Sequence, residues 1–293
     1  MSSAEQGDGD EVCTSCGGAK EDIQTTKCNY SCQYHDFCQE RNEREMAEIR
    51  NDPLFTPPPE ISHLDECPIC LLPLPLDMTK YRMNPCCCKF ICIGCSYATE
   101  KREREEGLEH KCPYCRSHAP ESEEDAVQMM MPRVMANDPV ALCHMGAKCS
   151  LEEDYEGAFE YLTKAAELGN AEAHYQLSNL YEQGEGVEKD MEKAIHHWEK
   201  ASVSGHARAR YNLGCIEDME ISTFHRASQH WIIAAKLGHD DSLKQVKRCY
   251  QHGYASKDDF AAALRGHQAA VDATKSQQRT EAEAFYAIFK AGN

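Results

Sequence analysis

Three Cys-x-x-Cys pairs and a run of three consecutive cysteines fall between residues 67 and 115, and nothing else in the chain restricts the fold as tightly. The pairs are Cys67/Cys70, Cys92/Cys95 and Cys112/Cys115; the run is Cys86, Cys87 and Cys88. Two residues between cysteines let one tight turn deliver both sulfurs to a metal ion, and zinc takes four such ligands in a tetrahedron. The pairs plus the run supply eight ligands, enough for two closed sites in which the zinc is structural. Buried or reactive cysteines without metal are the plainer alternative, and three pairs in so short a span argue against it. The first twelve residues carry Glu5, Asp8, Asp10 and Glu11, no Lys or Arg and no apolar run, a composition unlike a secretory signal. The eighteen cysteines are therefore expected to be metal ligands in a reducing compartment, cytoplasmic or nuclear, and not disulfides.

The order of the pairs, with long loops after the first and third, resembles a RING finger over residues 67–116, and Ile69, Pro113 and Arg116 fit that pattern as well as the ligands do. The resemblance implies that the first and third pairs share one Zn2+ and the second and fourth the other. The ligands would be Cys67, Cys70, Cys86, Cys87, Cys92, Cys95, Cys112 and Cys115. The fourth ligand of the family is usually His; here Cys87 or Cys88 must serve, and spacing does not decide between them. A RING finger carries no nucleophile or general base. Its family role is to bind a ubiquitin-charged conjugating enzyme and hold the thioester in a reactive pose, a gain that comes from positioning. Carried over by position, Ile69 and Pro113 would form the apolar patch that grips the conjugating enzyme. Arg116 would be the linchpin-type cation bridging that enzyme and ubiquitin, because planar guanidinium donors contact two acceptors at once. Ordinary packing of the zinc loops is the bland alternative for Ile69 and Pro113, and a solvated charge for Arg116.

Beyond residue 137 the pattern changes to a helical repeat. Ala158, Leu162, Ala165 and Gly169 recur 36 residues later as Ala194, Trp198, Ala201 and Gly205, and 33 later again as Ala227, Trp231, Ala234 and Gly238. A preceding helix repeats with Ala141 and Met145, Ala173 and Leu177, and Ala209 and Leu213. Apolar residues three or four apart mark one face of a helix, and the glycine after each second helix suits a cap of positive φ. Recurrence at one period is the signature of a solenoid of helix pairs. The residues Leu177, Tyr181, Gly184, Gly186 and Val187, followed by Lys193, Ala194 and Gly205, resemble Sel-1-like repeats, relatives of the tetratricopeptide family. The resemblance implies a concave surface for protein or peptide recognition. Glu217 in the third unit and His267 in the fourth depart from it, and distortion is expected there.

These readings divide the chain into a degenerate MYND-like zinc segment (1–50), a Pro-rich linker (51–66), a RING-type finger (67–117), an acidic and Met-rich linker (118–137), Sel-1-like repeats (138–272) and a C-terminal capping helix (273–293). The fold class is multidomain: a small zinc-stabilised RING of irregular α+β structure followed by an all-α solenoid. In the first segment Cys13, Cys16, Cys28, Cys32, His35 and Cys38 offer ligands for one further zinc and not two. The start of this segment and the downstream Arg/Glu stretch from Arg41 to Arg50 together resemble a MYND finger shortened in its middle, which implies protein interaction, with a proline-rich peptide as one option. In the last segment Ala282, Phe285, Tyr286 and Phe289 line one helix face that caps the array, or docks an apolar partner.

A formal charge of -18 makes nucleic acid a poor partner, and two four-thiolate zinc sites would take it to roughly -22, with Lys89 and Lys111 placed to offset some of this. No apolar run approaches the ~20 residues of a spanning helix, so no membrane insertion is expected. The combined reading is a RING-type ubiquitin-protein ligase whose repeats bind a substrate or partner protein; the alternative is a non-catalytic zinc-finger and solenoid adaptor. A thiol redox enzyme would need one Cys-x-x-Cys pair free of metal.

Overall fold

A computed structural model describes residues 44, 46–55, 59–219 and 224–291, without the side chains of 289–291. The MYND-like candidates Cys13, Cys16, Cys28, Cys32, His35 and Cys38 lie outside the described residues, as do Pro57, Pro58 and the side chain of Phe289. After a short helix α1 (46–51) come an antiparallel hairpin of β1 (Tyr81–Asn84) and β2 (Lys89–Cys92) and helix α2 (Ile93–Glu106). The strands pair Tyr81 with Cys92 and Asn84 with Lys89. The Cys86–Cys88 run thus forms the hairpin turn, and Cys92 ends β2 and caps α2 by accepting from the Cys95 N–H.

Eight helices then stack as four antiparallel pairs: α4 (Pro139–Leu151) with α5 (Tyr155–Glu167), α6 (Ala171–Gln183) with α7 (Met191–Val203), α8 (Ala207–Glu217) with α9 (Phe224–Lys236), and α10 (Asp240–His252) with α11 (Lys257–Ala273). The recurring residues form the core: Ala158, Leu162, Ala165, Ala194, Trp198, Ala201, Ala227, Trp231 and Ala234 are all essentially sealed from solvent. In the first and third pairs a large knob meets a glycine on the first helix. Gly146 faces Leu162 and Gly214 faces Trp231, while Ser178, at the equivalent position, is fully buried. Side-chain caps start the helices: Asp138, Asp154, Asn170, Asp190, His206, His239 and Ser256 each accept from backbone N–H groups of the first turn. The third unit keeps its helix pair, with α8 shortened to 11 residues, and Glu217 accepts from the Arg226 guanidinium at 2.9 Å.

Three stretches expected to connect or cap do more than that. The acidic run after residue 117 is the start of helix α3 (Glu123–Met135): Ser122 caps it, and Glu123, Glu124 and Asp125 sit at the positive end of its dipole. Met130 and Val134 of α3 pack into the core of the first repeat pair, so the stretch is an added helix of the stack and not a linker. On both sides of residues 56–58 the Pro-rich stretch contacts the repeats. Phe55 is buried against Ile233 and His230, Asp52 pairs with Arg226 at 2.8 Å, and the His63 N–H donates to the Gly205 carbonyl at 3.2 Å. Gly205 permits this approach, since a β-carbon there would lie 2.6 Å from the Ile61 carbonyl oxygen, and its φ of +82° also favours glycine. The last helix, α12 (Gln277–Ala291), packs against α2 of the cysteine module. Among the described residues, no helix is long and apolar enough to cross a membrane.

Candidate metal centres

The two Cys-Pro-x-Cys knuckles fold alike. Leu71 and Arg116, each directly after the second cysteine, take positive φ (56° and 64°), and their N–H groups donate to the carbonyls of Cys67 (2.8 Å) and Cys112 (3.1 Å). The closed turn points both sulfurs of a knuckle the same way. The long loops then interleave the pairs in space. Cys67, Cys70, Cys92 and Cys95 form one set and Cys86, Cys87, Cys112 and Cys115 another, with the ligand atoms of each set within 4.8 Å of one another. Four sulfurs about 2.3 Å from a shared zinc ion stand about 3.8 Å apart at the corners of a tetrahedron. The Cys70–Cys92 and Cys87–Cys112 sulfur separations are both 3.8 Å, and Cys86–Cys115 is 3.3 Å. All eight are free thiols. Each set could hold one metal ion, and an all-sulfur tetrahedral donor set suits zinc.

Cys88 belongs to neither set. With φ at +51° its side chain turns away from the metal ligands and is buried among Met83, Met130, Val134 and Leu142, so it packs the module against the repeats. Its thiol, raised to about 11 chiefly by burial, stays protonated. Of the two alternatives left open by spacing, Cys87 is the one whose sulfur lies with those of Cys86, Cys112 and Cys115.

Within the sets the protons are unevenly shared. Hydrogen bonds from the Cys92 and Cys95 thiols hold the Cys67 thiol far below its ordinary range, and the sharing with Cys67 and Cys92 holds Cys95 far above it. In the second set burial pushes Cys87 up to about 12; at Cys115 burial acts upward too, but hydrogen bonds led by Ser117 outweigh it and bring the thiol to about 6. Each set thus shares its protons over four sulfurs, and binding an ion would expel those that remain.

Around the first set, Ile69, Thr99, Arg102, Leu108 and Arg116 line a cleft of about 680 Å³, to which α12 contributes Gln278. Ile69 is 42% exposed. Pro113 is half-buried on the second knuckle and does not line this cleft. Glu103 of α2 ties the cleft floor to the second knuckle, accepting from the Lys111 N–H at 3.2 Å and contacting His110 Nδ1 at 2.7 Å. Lys111 is paired with Glu109 at 3.3 Å, and Lys89 is exposed. The cation that approaches the first set is one the sequence did not single out, Arg279 of α12, with Nη2 at 3.5 Å from Cys70 Sγ.

A third group, His63, Glu172 and His206, also has metal-ligand spacing. His206 Nδ1 accepts the Ala209 N–H at 3.1 Å, which leaves the imidazole proton on Nε2, where it is donated to Glu172 Oε2 at 3.0 Å. A nitrogen that carries a proton cannot ligate, so this group is a latch between the Pro-rich stretch and the repeats. Its rings stack, with centroids 4.1 Å apart for His63 and His206 and 4.4 Å for Tyr175 and His206.

A model of the Sel1 repeat matches residues 140–170 and 171–206, which correspond to the first two helix pairs. No curated protein matches the chain. Among solved structures it is similar to a Sel1 repeat protein from Oxalobacter formigenes, at 17% identity and a TM-score of 0.46, covering 68% of this chain and 87% of that one. It is also similar to a protective antigen of uropathogenic Escherichia coli displaying an SLR fold, at 20% identity and a TM-score of 0.41, covering 65% of this chain and 40% of that one. An immunity protein from Pseudomonas aeruginosa matches at 19% identity and a TM-score of 0.39, covering 53% of this chain and 64% of that one. Helical repeats of this type present extended surfaces to other proteins. Residues 140–206 thus match two Sel1 repeats, and the helix pairs that follow continue the same stack.

Proposed function

We propose that the chain is a RING-type ubiquitin-protein ligase. Residues 67–117 bind a ubiquitin-charged conjugating enzyme, and the helical repeats bind a substrate or partner protein. The observation that carries this reading is the interleaved gathering of eight cysteines into two four-sulfur sets, first pair with third and second with fourth. A redox enzyme would leave one pair without sulfur neighbours, and here every Cys-x-x-Cys pair is matched by another two thiols. Two Zn2+ ions would fix the loops and supply no chemistry of their own. Ile69 and Arg116 border one cleft, so an apolar contact and a cation reach the same bound partner. Transfer then needs only the thioester held in a reactive pose, with the attacking amine supplied by the substrate.

The test is single-turnover discharge of ubiquitin from a panel of charged conjugating enzymes, using the full chain, Ile69→Ala and Arg116→Ala. The reading predicts acceleration by the full chain and a loss of roughly tenfold or more in each variant, the effect of misplacing a reacting group. If no enzyme of the panel is accelerated although the chain carries two zinc ions, the zinc module and the repeats together form a non-catalytic adaptor.

A further inference from the structure

The C-terminal helix α12 docks against α2, beside the first cysteine set. Arg279 of α12 is only 4% exposed. Its Nη1 donates to the carbonyls of Pro73 (2.8 Å) and Thr274 (2.7 Å), and its Nη2 to the Leu72 carbonyl (3.2 Å) and to Cys70 Sγ (3.5 Å). Beside it, Gln278 Oε1 lies 3.9 Å from Cys95 Sγ. The guanidinium therefore stitches the first knuckle to the end of α11, the last helix of the repeats. Such a seat needs close approach: a β-carbon on Gly94 of α2 would lie 2.9 Å from the Arg279 backbone nitrogen. The rest of α12 holds the pose. Phe285 meets Tyr97 (4.8 Å between centroids), Tyr286 donates to Glu100 at 2.9 Å, and Glu283 pairs with Lys80 at 3.0 Å.

A four-thiolate site holding a dication carries a net charge of -2, which burial leaves poorly solvated. Fixed donors on the sulfurs offset that charge and orient the ligands, and partners of this kind often change metal affinity 10–100-fold. Among the described residues, no guanidinium donates to a sulfur of the second set; Cys115 contacts the Ser117 hydroxyl at 3.3 Å, and Cys115 is exposed. The two sets thus differ in what surrounds them.

We propose that Arg279, delivered by α12, is a positioning and charge-balancing residue for the metal ion of the Cys67/Cys70/Cys92/Cys95 set, so that retention of that ion depends on the docking of the C-terminal helix. The proposal rests on the two-metal reading above. Because Gln278 also lines the cleft beside Ile69 and Arg116, the same docking links the end of the repeats to the partner surface.

The experiment uses the full chain loaded with cadmium-113, whose two all-sulfur sites give separate resonances, and follows the loss of each on addition of a chelator. Arg279→Ala is expected to speed loss from one resonance about tenfold or more and leave the other unchanged. Arg279→Lys, which keeps the charge but not the fork, should fall between. Gly94→Ala, which alters no charged or ligating group, should act on the same resonance by pushing α12 away. Loss at the wild-type rate from both sites in Arg279→Ala and in Gly94→Ala overturns the proposal, and so does equal acceleration at both sites. Wild-type chain that shows no all-sulfur cadmium resonance overturns the two-metal reading itself, an outcome read before any variant is made.

Discussion

At Gly214 a β-carbon would lie 2.6 Å from the indole nitrogen of Trp231, and that indole is pinned by its own hydrogen bond to the Tyr211 carbonyl at 3.3 Å. Alanine in an open helix position gains about 1 kcal/mol over glycine, while overpacking a sealed core costs about 1–3 kcal/mol. With a rigid, buried ring as the neighbour, the second effect wins. Gly214→Ala is expected to lower stability by about 1–2 kcal/mol in urea denaturation, and a rise in stability would contradict this account of the knob and its hole. His206 gives a second test at this scale. Burial holds its imidazole near 4, against the upward pull of the Glu172 hydrogen bond, whereas an unfolded histidine titrates near 6.5. Between these values the unfolded chain takes up a proton that the folded chain refuses, so stability falls as pH drops from about 6.5 to about 4. Glu172 acts in the same direction: burial raises its carboxyl, but hydrogen bonds from His206 and His63 outweigh it and hold it well below its ordinary range. Thermal melts between pH 7 and pH 4.5 should show the decline, and His206→Asn, which keeps a capping oxygen, should flatten it. An unchanged slope in that variant would place the acid sensitivity elsewhere.

At the scale of elements, legibility followed the range of the interactions. The helix pairs could be read because Ala158, Ala194 and Ala227 mark the same buried position at offsets a reader can count. The knuckles could be read because their turns are local, with both cysteines and the closing N–H within five residues. Cys87 and Cys88 could not be separated by spacing, since the choice is made by a backbone turn of positive φ and by the core that receives Cys88. The acidic run 121–125 looked like a linker because caps and solvated segments share a composition; burial of Met130 and Val134 decides between them. The Pro-rich stretch misled for a related reason. Its anchors, Asp52, Phe55 and His63, are single residues whose partners lie on helices more than a hundred residues away.

Over the whole molecule, the expected string of modules gives way to a chain that closes on itself. Cys88 joins the cysteine module to the first repeat pair, Asp52, Phe55 and His63 contact the second and third, and α12 returns from the fourth to α2. Arg279 and Cys70 are 209 positions apart, and no local pattern announces such a contact. The repeats therefore hold the cysteine module in a defined place. All of this depends on the two sulfur sets being metal centres. Native mass spectrometry of the full chain, purified without added metal, together with zinc-edge absorption spectroscopy, tests that claim most directly. The account predicts at least two zinc ions per chain with sulfur ligands at about 2.3 Å; fewer than two ions, or a shell dominated by nitrogen and oxygen, would contradict it.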